Sequence, residues 1–355
     1  MTPEELMGVW DVGGVQTMHP LGGGSINGAF RVMTDTGPLH LRVYRSPDRE
    51  RAEREHAAIA VAARAGLPTP VPLAARGGGT VAQMGTHLAA LFPVAAGAPV
   101  PRAALTPAHA QALGSFLADV HDRLPTRVPF GVPPLRAAGL EHTRERLEQI
   151  QAILLALPQP DEVDGWALER TRQRLAHLRA SALPDPLPAF PPRFLHGDYH
   201  DGNVFFGAGW PAALIDWEQT RLAPRAWEVV RCLHLSLRLD AALSGAFLGG
   251  YRQRLPLPED ELADGAALYA TLQERNVWTY ESVYREGNPG PRRFRAFVRI
   301  TPLEEKRLQR LHSPKRSPYF TRFARSKRRS LFDKCSIAPP PYVPFQVAWA
   351  ASGLR

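Results

Sequence analysis

One short stretch, residues 194–206 with the sequence FLHGDYHDGNVFF, constrains the fold of this chain more than any other. The apolar residues at its two ends predict two strands, and the polar residues between them predict a tight loop. Burying so many histidine, aspartate and asparagine groups costs several kcal/mol unless they meet a ligand or a metal. A second apolar run ends in an acid at Asp216, thirteen residues after Asn203. Together the two segments predict a divalent-metal site made of carboxylate and amide oxygens.

Two chemistries fit this pattern. Phosphoryl transfer needs a carboxylate to position the acceptor hydroxyl, and then an Asn and a later Asp to hold Mg²⁺. Asp198, Asn203 and Asp216 follow in that order, with the five-residue Asp-to-Asn spacing of kinase catalytic loops. The alternative is a metal-dependent hydrolase that uses His196, Asp198 and His200 as a dense ligand cluster. A polar turn without activity is a third interpretation, and the loop alone leaves all three open.

Length and cysteine content narrow the class of protein. A chain of 355 residues predicts two lobes with appendages rather than one small core. Its two cysteines give neither a disulfide framework nor a metal-binding spacing, which suits a reducing cytosol. The sequence contains no signal-peptide pattern, and no apolar run approaches the roughly 18 residues that span a bilayer. We therefore expect a cytoplasmic protein that does not enter a membrane.

The net charge of +9 lies mostly in one segment. Residues 313–355 hold nine Lys/Arg and one acid, a charge of +8, which leaves about +1 for residues 1–312. This distribution argues against nucleic acid as a partner of the body of the protein. The segment is also proline-rich, and we expect a disordered basic tail, the one region to which nucleic acid or acidic partners could bind.

The first ninety or so residues are predicted to form strands with one inserted helix. A glycine-rich turn between two strands contains residues that could let backbone N–H groups approach a phosphate, namely Gly23, Gly24, Ser25 and Asn27. Arg42 lies on the next strand, and Glu55 lies on the helix that follows. An Arg–Glu pair of this kind could hold nucleotide phosphates, as a Lys–Glu pair does in protein kinases. A simple turn and a solvated helix face are the alternative interpretations.

With these motifs assembled, the chain resembles the aminoglycoside phosphotransferase/choline kinase superfamily, small-molecule kinases with a protein-kinase-like fold. The resemblance rests on HGDYHDGN at 196–203 and LIDWE at 214–218, and it covers roughly residues 15–300. It implies an α+β, two-lobed fold. Residues 1–94 would be a small antiparallel-sheet lobe that binds nucleotide, and residues 95–312 a larger, mostly helical lobe that carries catalysis and acceptor binding.

The same resemblance implies roles for the polar residues. Asp198 would be the catalytic base, and Asn203 and Asp216 would ligate Mg²⁺ on the phosphates of ATP. Arg42, paired with Glu55, would contact the α- and β-phosphates. The adenine hinge would be the segment that contains Leu91, Phe92 and Val94, and Glu228 would brace the catalytic loop.

One departure from protein kinases is the arginine at position 42, where those enzymes have lysine. All four lysines of the chain lie after residue 305. Arginine binds phosphate as a fixed bidentate fork rather than as a point charge. The choice between ATP and GTP therefore stays open.

The expected function is an ATP- and Mg²⁺-dependent transfer of phosphate to a hydroxyl of an amino alcohol, a homoserine-like metabolite, a sugar or an aminoglycoside. The metal-dependent hydrolase and a kinase-fold binding protein with little catalysis remain alternatives. An amine-bearing or polar acceptor would suit the C-terminal helices, which combine the aromatics Trp278, Tyr280 and Tyr284 with several acids. These acids are Glu259, Asp260, Glu261, Asp264, Glu274, Glu281 and Glu286.

Overall fold

A five-stranded antiparallel sheet forms the first lobe of the computed structural model, which describes residues 2–21, 27–180 and 188–293. The strand order is β1-β2-β3-β5-β4. The strands are β1 (Val15–Pro20), β2 (Gly28–Thr34), β3 (Gly37–Tyr44), β4 (Ala82–Met84) and β5 (His87–Pro93). A short helix, α1 (Pro3–Val9), precedes the sheet, and α2 (Arg49–Arg64) is inserted between β3 and β4.

Side-chain alternation on the central strands explains how the first lobe is packed. Leu41 of β3 and Leu91 of β5 are fully buried on one face of the sheet, together with Leu6 and Trp10 from the N-terminal segment. The helix α2 packs on the other face of the sheet. Its N-cap is Asp48, whose carboxylate accepts a hydrogen bond from the Arg51 N–H. The helix therefore lies against the sheet that carries Arg42.

The second lobe is mostly helical. Its helices are α3 (Pro107–Arg123), α4 (Leu140–Leu155), α5 (Glu162–Ala180), α6 (Arg225–Leu235), α7 (Ala241–Arg254), α8 (Glu259–Arg275) and α9 (Trp278–Tyr284). Its short strands are β6 (Ala98–Pro99), β7 (Arg193–Leu195), β8 (Val204–Gly207), β9 (Trp210–Leu214) and β10 (Arg221–Ala223). This two-lobed α+β architecture confirms the fold class expected from the sequence.

One predicted helix is wrong in its length. The sequence pattern predicts a single helix over residues 258–285, but the structure has two helices, α8 and α9. The break lies at Asn276, whose backbone is extended and whose side-chain oxygen accepts a hydrogen bond from the Trp278 N–H. A further helix predicted over 291–311 and the basic tail at 313–355 lie wholly or largely outside the described residues.

Two glycines let α3 and α7 cross at close range. A Cβ on Gly114 would lie 2.0 Å from the Phe247 carbonyl oxygen, and a Cβ on Gly250 would lie 2.2 Å from that of Gln111. Any side chain at either position would push the two helices apart. The helix α3 also contacts the loop that follows β7, because the Tyr199 hydroxyl donates a hydrogen bond to the Leu113 carbonyl at 2.7 Å.

The lobes are joined by more than the chain connection at residues 94–101. The Leu214 N–H donates to the Pro68 carbonyl at 2.8 Å, and the Trp217 indole N–H donates to the Thr69 hydroxyl at 3.1 Å. The connector between α2 and β4 is thereby held against the end of β9. Over the described ranges, no helix is long and apolar enough to cross a membrane.

Candidate active site

The loop between β7 and β8 is held by its own backbone geometry. Gly197 has a φ of +83°, and a Cβ there would lie 1.9 Å from the Gln219 carbonyl oxygen. Only glycine fits both the left-handed conformation and the close approach. The loop is therefore pressed against the segment that follows Asp216.

His196 and His200 organise the loop. His196 Nε2 donates to the Ile215 carbonyl at 2.9 Å, and its Nδ1 accepts from the Asp198 N–H at 3.1 Å. His200 Nδ1 accepts from the Gly202 N–H at 2.9 Å. Burial lowers the pKa of His196, so its imidazole is neutral with the proton on Nε2.

Because these ring nitrogens of His196 and His200 already have partners in the loop, the geometry does not favour the His196, Asp198 and His200 cluster as metal ligands. Among the residues the structure describes, no group of three or more His, Cys, Asp or Glu side chains could hold a metal ion.

Asp198 is surrounded by donors. Its Oδ2 accepts from the Asn203 amide nitrogen at 3.2 Å, its Oδ1 accepts from the Arg231 guanidinium, and His200 Nε2 lies 3.6 Å from Oδ2. Burial alone would raise the pKa of this carboxyl, but the attraction of Arg231 and the contact with His200 hold that pKa well below its usual range. Asp198 is therefore a carboxylate at neutral pH.

A buried chain of hydrogen bonds supports the loop from below. Glu228 of α6 accepts from the Gly197 N–H at 2.5 Å, and its other oxygen lies 3.0 Å from His121 Nε2. His121 Nδ1 in turn lies 2.8 Å from the Tyr251 hydroxyl. Burial opposes ionisation of Glu228, but the hydrogen bond and charge of His121 lower the pKa of this carboxyl overall. The contacts join the loop to α3, α6 and α7, which is the position expected for a residue that braces the loop.

Arg42 of the first lobe contacts Asp216 of the second lobe. Its Nη1 lies 2.5 Å from Glu55 Oε1, and its Nη2 lies 3.1 Å from Asp216 Oδ1. Burial raises the pKa of Glu55 to about 7, against the opposing charge of Arg42. Asp216 has a φ of +67°, a left-handed conformation that aspartate tolerates better than most residues. The three predicted residues thus lie in direct contact.

Asn203 and Asp216 lie on adjacent strand ends. The Ile215 N–H donates to the Asn203 carbonyl at 3.0 Å, which places the residue before Asp216 beside Asn203. The Asn203 amide nitrogen contacts Asp198, so Mg²⁺ would use the amide oxygen at the other end of the group. Amide and carboxylate oxygens are ligands that Mg²⁺ prefers, and the two side chains therefore fit this ion.

A cavity between the lobes is lined in part by these polar groups. Arg42, Glu55 and Asp216 contribute to its lining, and its other walls are largely apolar and aromatic, with Phe92 and Val94 among them. This combination suits a nucleotide, whose base would contact the apolar walls and whose phosphates would contact the polar groups.

Not all of the other residues predicted to contact nucleotide line the cavity. Leu91 does not line the cavity, since its side chain is buried in the first-lobe core and its carbonyl accepts from the Leu73 N–H at 2.7 Å. Pro93 has no N–H, so a donor to adenine in this segment would come from Val94 or Ala95. Asn27 braces the β2–β3 hairpin by accepting from the Arg45 N–H at 3.2 Å. Gly23, Gly24 and Ser25 lie outside the described residues.

Sequence reasoning missed several residues of the site. His40 lines the cavity and lies two positions before Arg42 on β3, so the two-residue strand repeat places both on one face. Arg231 lies three positions after Glu228 on α6, so the helical repeat was the available signal for it. Nothing local to the sequence indicates the contact of His121 with Glu228, because the two are far apart along the chain.

Four of the seven acids that the sequence offers for an amine-bearing acceptor pair with basic side chains of the second lobe. Glu259 pairs with Arg252, Glu261 with Arg225, Glu274 with His177, and Glu281 with Arg146 and Arg285. These contacts join helices of the second lobe to one another. The side chains in contact with Asp198 are instead Asn203, His200 and Arg231.

Comparison with known proteins agrees with this geometry. The sequence profile of the family described as "Phosphotransferase enzyme family" matches residues 17–264. The chain belongs to the phosphotransferase enzyme family. A protein of Synechocystis sp. described as "Uncharacterized protein sll1119" is 26% identical over 221 residues. That alignment covers 60% of this chain and 58% of the cyanobacterial protein.

Solved structures of this phosphotransferase type share the fold. Spectinomycin phosphotransferase APH(9)-Ia, in complex with ADP and spectinomycin, superposes with a TM-score of 0.59 at 15% identity and covers 94% of this chain and 96% of its own. The amicoumacin kinase hAmiN, in complex with AMP-PNP and Ca²⁺, gives 0.53 at 16% identity, covering 88% and 87%. An aminoglycoside phosphotransferase from Alicyclobacillus acidocaldarius gives 0.52 at 15% identity, covering 94% and 95%.

Proposed function

We propose that this chain transfers the γ-phosphoryl group of Mg²⁺-bound ATP to a hydroxyl of a small molecule. The observation that carries the proposal is the contact of Arg42 with both Glu55 and Asp216 in the lining of the interlobe cavity. Asn203 contacts Asp198 beside it. The arrangement supplies one site for phosphates and one carboxylate for the acceptor, which is what phosphoryl transfer requires.

The nucleotide would lie along the cavity. The apolar walls would hold adenine, with backbone contacts from Val94 or Ala95, and Arg42 would bind the α- and β-phosphates at the other end. Arg42 is already oriented by Glu55, so little side-chain freedom is lost on binding. Asn203 and Asp216 would hold Mg²⁺, which supplies charge neutralisation on the phosphate oxygens.

Asp198 would act on the acceptor. Its carboxylate would accept a hydrogen bond from the acceptor hydroxyl and take the proton as the new O–P bond forms and the bond from the γ-phosphorus to the leaving ADP breaks. Because its pKa is low, Asp198 is a weak base, and its main contribution would be to position the hydroxyl. Asn203, His200 and Arg231 fix the carboxylate in place for this role.

The acceptor is proposed to be a hydroxyl-bearing small molecule of the kind expected from the sequence. The amicoumacin and spectinomycin enzymes with the same fold carry the names of such molecules, which supports the class of acceptor but not its identity. The hydrolase alternative is less favoured, because His196 uses both ring nitrogens inside the loop.

The test is a thermal-shift titration of the full chain with ATP and GTP, with and without Mg²⁺. A Mg²⁺-dependent rise of several degrees supports the nucleotide site and is followed by assays of ADP release with hydroxyl acceptors. No shift with either nucleotide would contradict the proposal. A thermal shift with no ADP formed from ATP, either with any hydroxyl acceptor or with water alone, would favour a kinase-fold binding protein.

A further inference from the structure

A line of hydrogen bonds runs through the second lobe towards the loop between β7 and β8. It begins at Arg225 of α6, whose Nε and Nη2 each donate to the Glu261 carboxylate at 2.7 Å. Arg225 is also hydrogen-bonded to the Tyr251 hydroxyl, which lies 2.8 Å from His121 Nδ1. Tyr251 and His121 are buried, and the proposed reaction has so far assigned no role to either.

The partners of His121 fix which of its ring nitrogens carries the proton. Glu228 is a carboxylate and accepts only, so His121 Nε2 donates to it at 3.0 Å. Burial lowers the pKa of His121, which leaves the imidazole neutral and makes Nδ1 an acceptor. The Tyr251 hydroxyl therefore donates to Nδ1, and its oxygen accepts from Arg225, which has only donors. Each proton of the line has one position.

The line ends at the residue before Asp198. Glu228 accepts from the Gly197 N–H at 2.5 Å with the oxygen that His121 does not use. The backbone torsions of Gly197 set the direction in which Asp198 leaves the turn, and glycine has no side chain that limits these torsions. A fixed Gly197 N–H therefore fixes the position of the Asp198 carboxylate.

Stability alone does not account for these buried groups. Buried ionic and polar pairs give little net stability relative to apolar residues of the same volume. His121 is held by its backbone as well, because the Arg193 guanidinium at the start of β7 donates to its carbonyl at 2.5 Å. A rigid support of this kind suits a carboxylate that must be placed accurately, since small misplacements lower the rate of a reaction.

We propose that His121 is a positioning residue for the phosphoryl transfer: its Nε2–H holds Glu228 against the Gly197 N–H, and Tyr251 keeps the proton on that nitrogen. The inference rests on the proposed phosphotransferase function and adds two residues on which its rate depends. Neither residue lines the interlobe cavity described above.

Two amide substitutions at His121 separate its ring nitrogens. The amide nitrogen of His121→Gln lies near the position of Nε2 and keeps a donor for Glu228, whereas the shorter amide of His121→Asn lies near Nδ1 and does not reach it. Backbone hydrogen exchange of residues 194–206 in the full chain, without nucleotide, measures how firmly the loop is held. The strands of the first lobe correct for changes in global stability.

We expect loop exchange to rise about tenfold in His121→Asn, because the buried Gly197 N–H loses a fixed acceptor. In His121→Gln it should stay within about threefold of wild type. Equal loop exchange in the two variants would overturn the proposal.

A second pair of variants tests the tautomer and does not change His121. Tyr251→Phe keeps the ring that contacts His121 edge-on and removes only the hydroxyl, so the imidazole can carry its proton on Nδ1 instead of Nε2. The matched control is Ser115→Ala, which removes another buried hydroxyl between α3 and α7, one that donates to the Gly250 carbonyl at 3.1 Å. We expect faster loop exchange in Tyr251→Phe alone. The same loop exchange in Tyr251→Phe and Ser115→Ala would overturn the assignment, even if the His121 variants do not fold.

Turnover separates a positioning role from a purely structural one. With Mg²⁺ and ATP, and with a hydroxyl acceptor or water, we expect His121→Asn to lower kcat about tenfold and to leave KM for ATP within about twofold of wild type. An unchanged kcat would overturn the positioning role and leave the phosphotransferase intact. If Mg²⁺-bound ATP does not bind to the wild-type chain, the phosphotransferase fails, and the exchange comparison alone decides whether His121 holds the loop.

Discussion

Asp198 is the residue on which the proposed chemistry depends most directly. Asp198→Asn keeps the size of the side chain and an oxygen for Arg231 but removes the group that accepts a proton. We expect ADP release to fall by a factor of about 10² to 10⁴, while nucleotide affinity stays within a few-fold of wild type. Asp122→Asn, an exposed change on α3, is the matched control. Turnover that survives in Asp198→Asn would show that the base is assigned to the wrong residue.

His56 makes the stability of the first lobe depend on pH. It is buried between the Tyr44 hydroxyl at 3.0 Å and the Thr80 hydroxyl at 2.6 Å, and burial lowers its pKa from 6.5 to about 4. Between these two values the unfolded chain binds a proton that the folded chain does not. Stability is therefore lost as the pH falls below about 6.5.

The expected loss from His56 is about 2 kcal/mol of unfolding free energy at pH 5 relative to pH 8. Urea unfolding at both pH values measures it, and His56→Gln should flatten the difference by roughly that amount. His87→Gln, a change at an exposed histidine of β5, controls for the loss of an imidazole. A pH dependence that is identical in wild type and His56→Gln would contradict the prediction.

A site residue could be predicted from the sequence when the residues near it along the chain already indicate its role, and not when its role depends on tertiary packing. Asp198, Asn203 and Asp216 could be proposed from the sequence because loop spacing and strand ends indicate them directly. The contact of Arg42 with Glu55 could be proposed from one strand and the helix that follows it. The contact between Arg231 and Asp198 depends on how α6 packs over the loop, and spacing does not encode that packing. Leu91 was named as part of the hinge from the resemblance, but its side chain faces the core.

At the scale of elements, the close packing of α3 against α7 makes the stability of the fold sensitive to one added methyl group. Gly114→Ala would place a Cβ against the backbone of Phe247, and we expect a loss of about 3 kcal/mol in unfolding free energy. Gly249→Ala is the matched change on α7, where a Cβ would meet nothing within 4 Å. Because alanine is the better helix former, that variant should gain up to about 1 kcal/mol.

Chemical unfolding of the two glycine variants tests this packing. If Gly114→Ala is as stable as wild type, the helices do not approach as closely as the structure shows. Helical spacing of apolar residues from Leu113 to Leu124 predicts α3, and Thr106 before Pro107 predicts its N-cap, which the structure shows. Periodicity carries no information about which helix packs on which. The break between α8 and α9 was missed for a related reason, since the buried residues Val277 and Tyr280 continue the apolar pattern past it.

At the scale of the whole molecule, the contact between Arg42 and Asp216 joins the sheet lobe to the helical lobe. Asp216→Ala would remove this link and one of the two proposed Mg²⁺ ligands together. We expect the Mg²⁺-dependent part of the thermal shift with ATP to fall by at least half, because the phosphates lose the cation that neutralises them. Asp240→Ala would be a poor control because it removes a helix cap, so Asp122→Ala serves instead. An unchanged Mg²⁺-dependent shift would remove Asp216 from the site.

The order of the two lobes could be predicted because strands and helices change over near residue 95. How the lobes face each other could not be predicted, because it rests on hydrogen bonds such as Leu214 to Pro68 that no local pattern reveals.

The arginine at position 42 has a practical consequence for chemical proteomics. Acyl-phosphate analogues of ATP report kinases by acylating the lysine amine that contacts the phosphates. Here the corresponding group is a guanidinium that stays protonated and does not react as an amine, and every lysine of the chain lies after residue 305. We expect such probes to leave position 42 of the proposed nucleotide site unacylated, so that a survey that depends on a lysine at this position would overlook the protein.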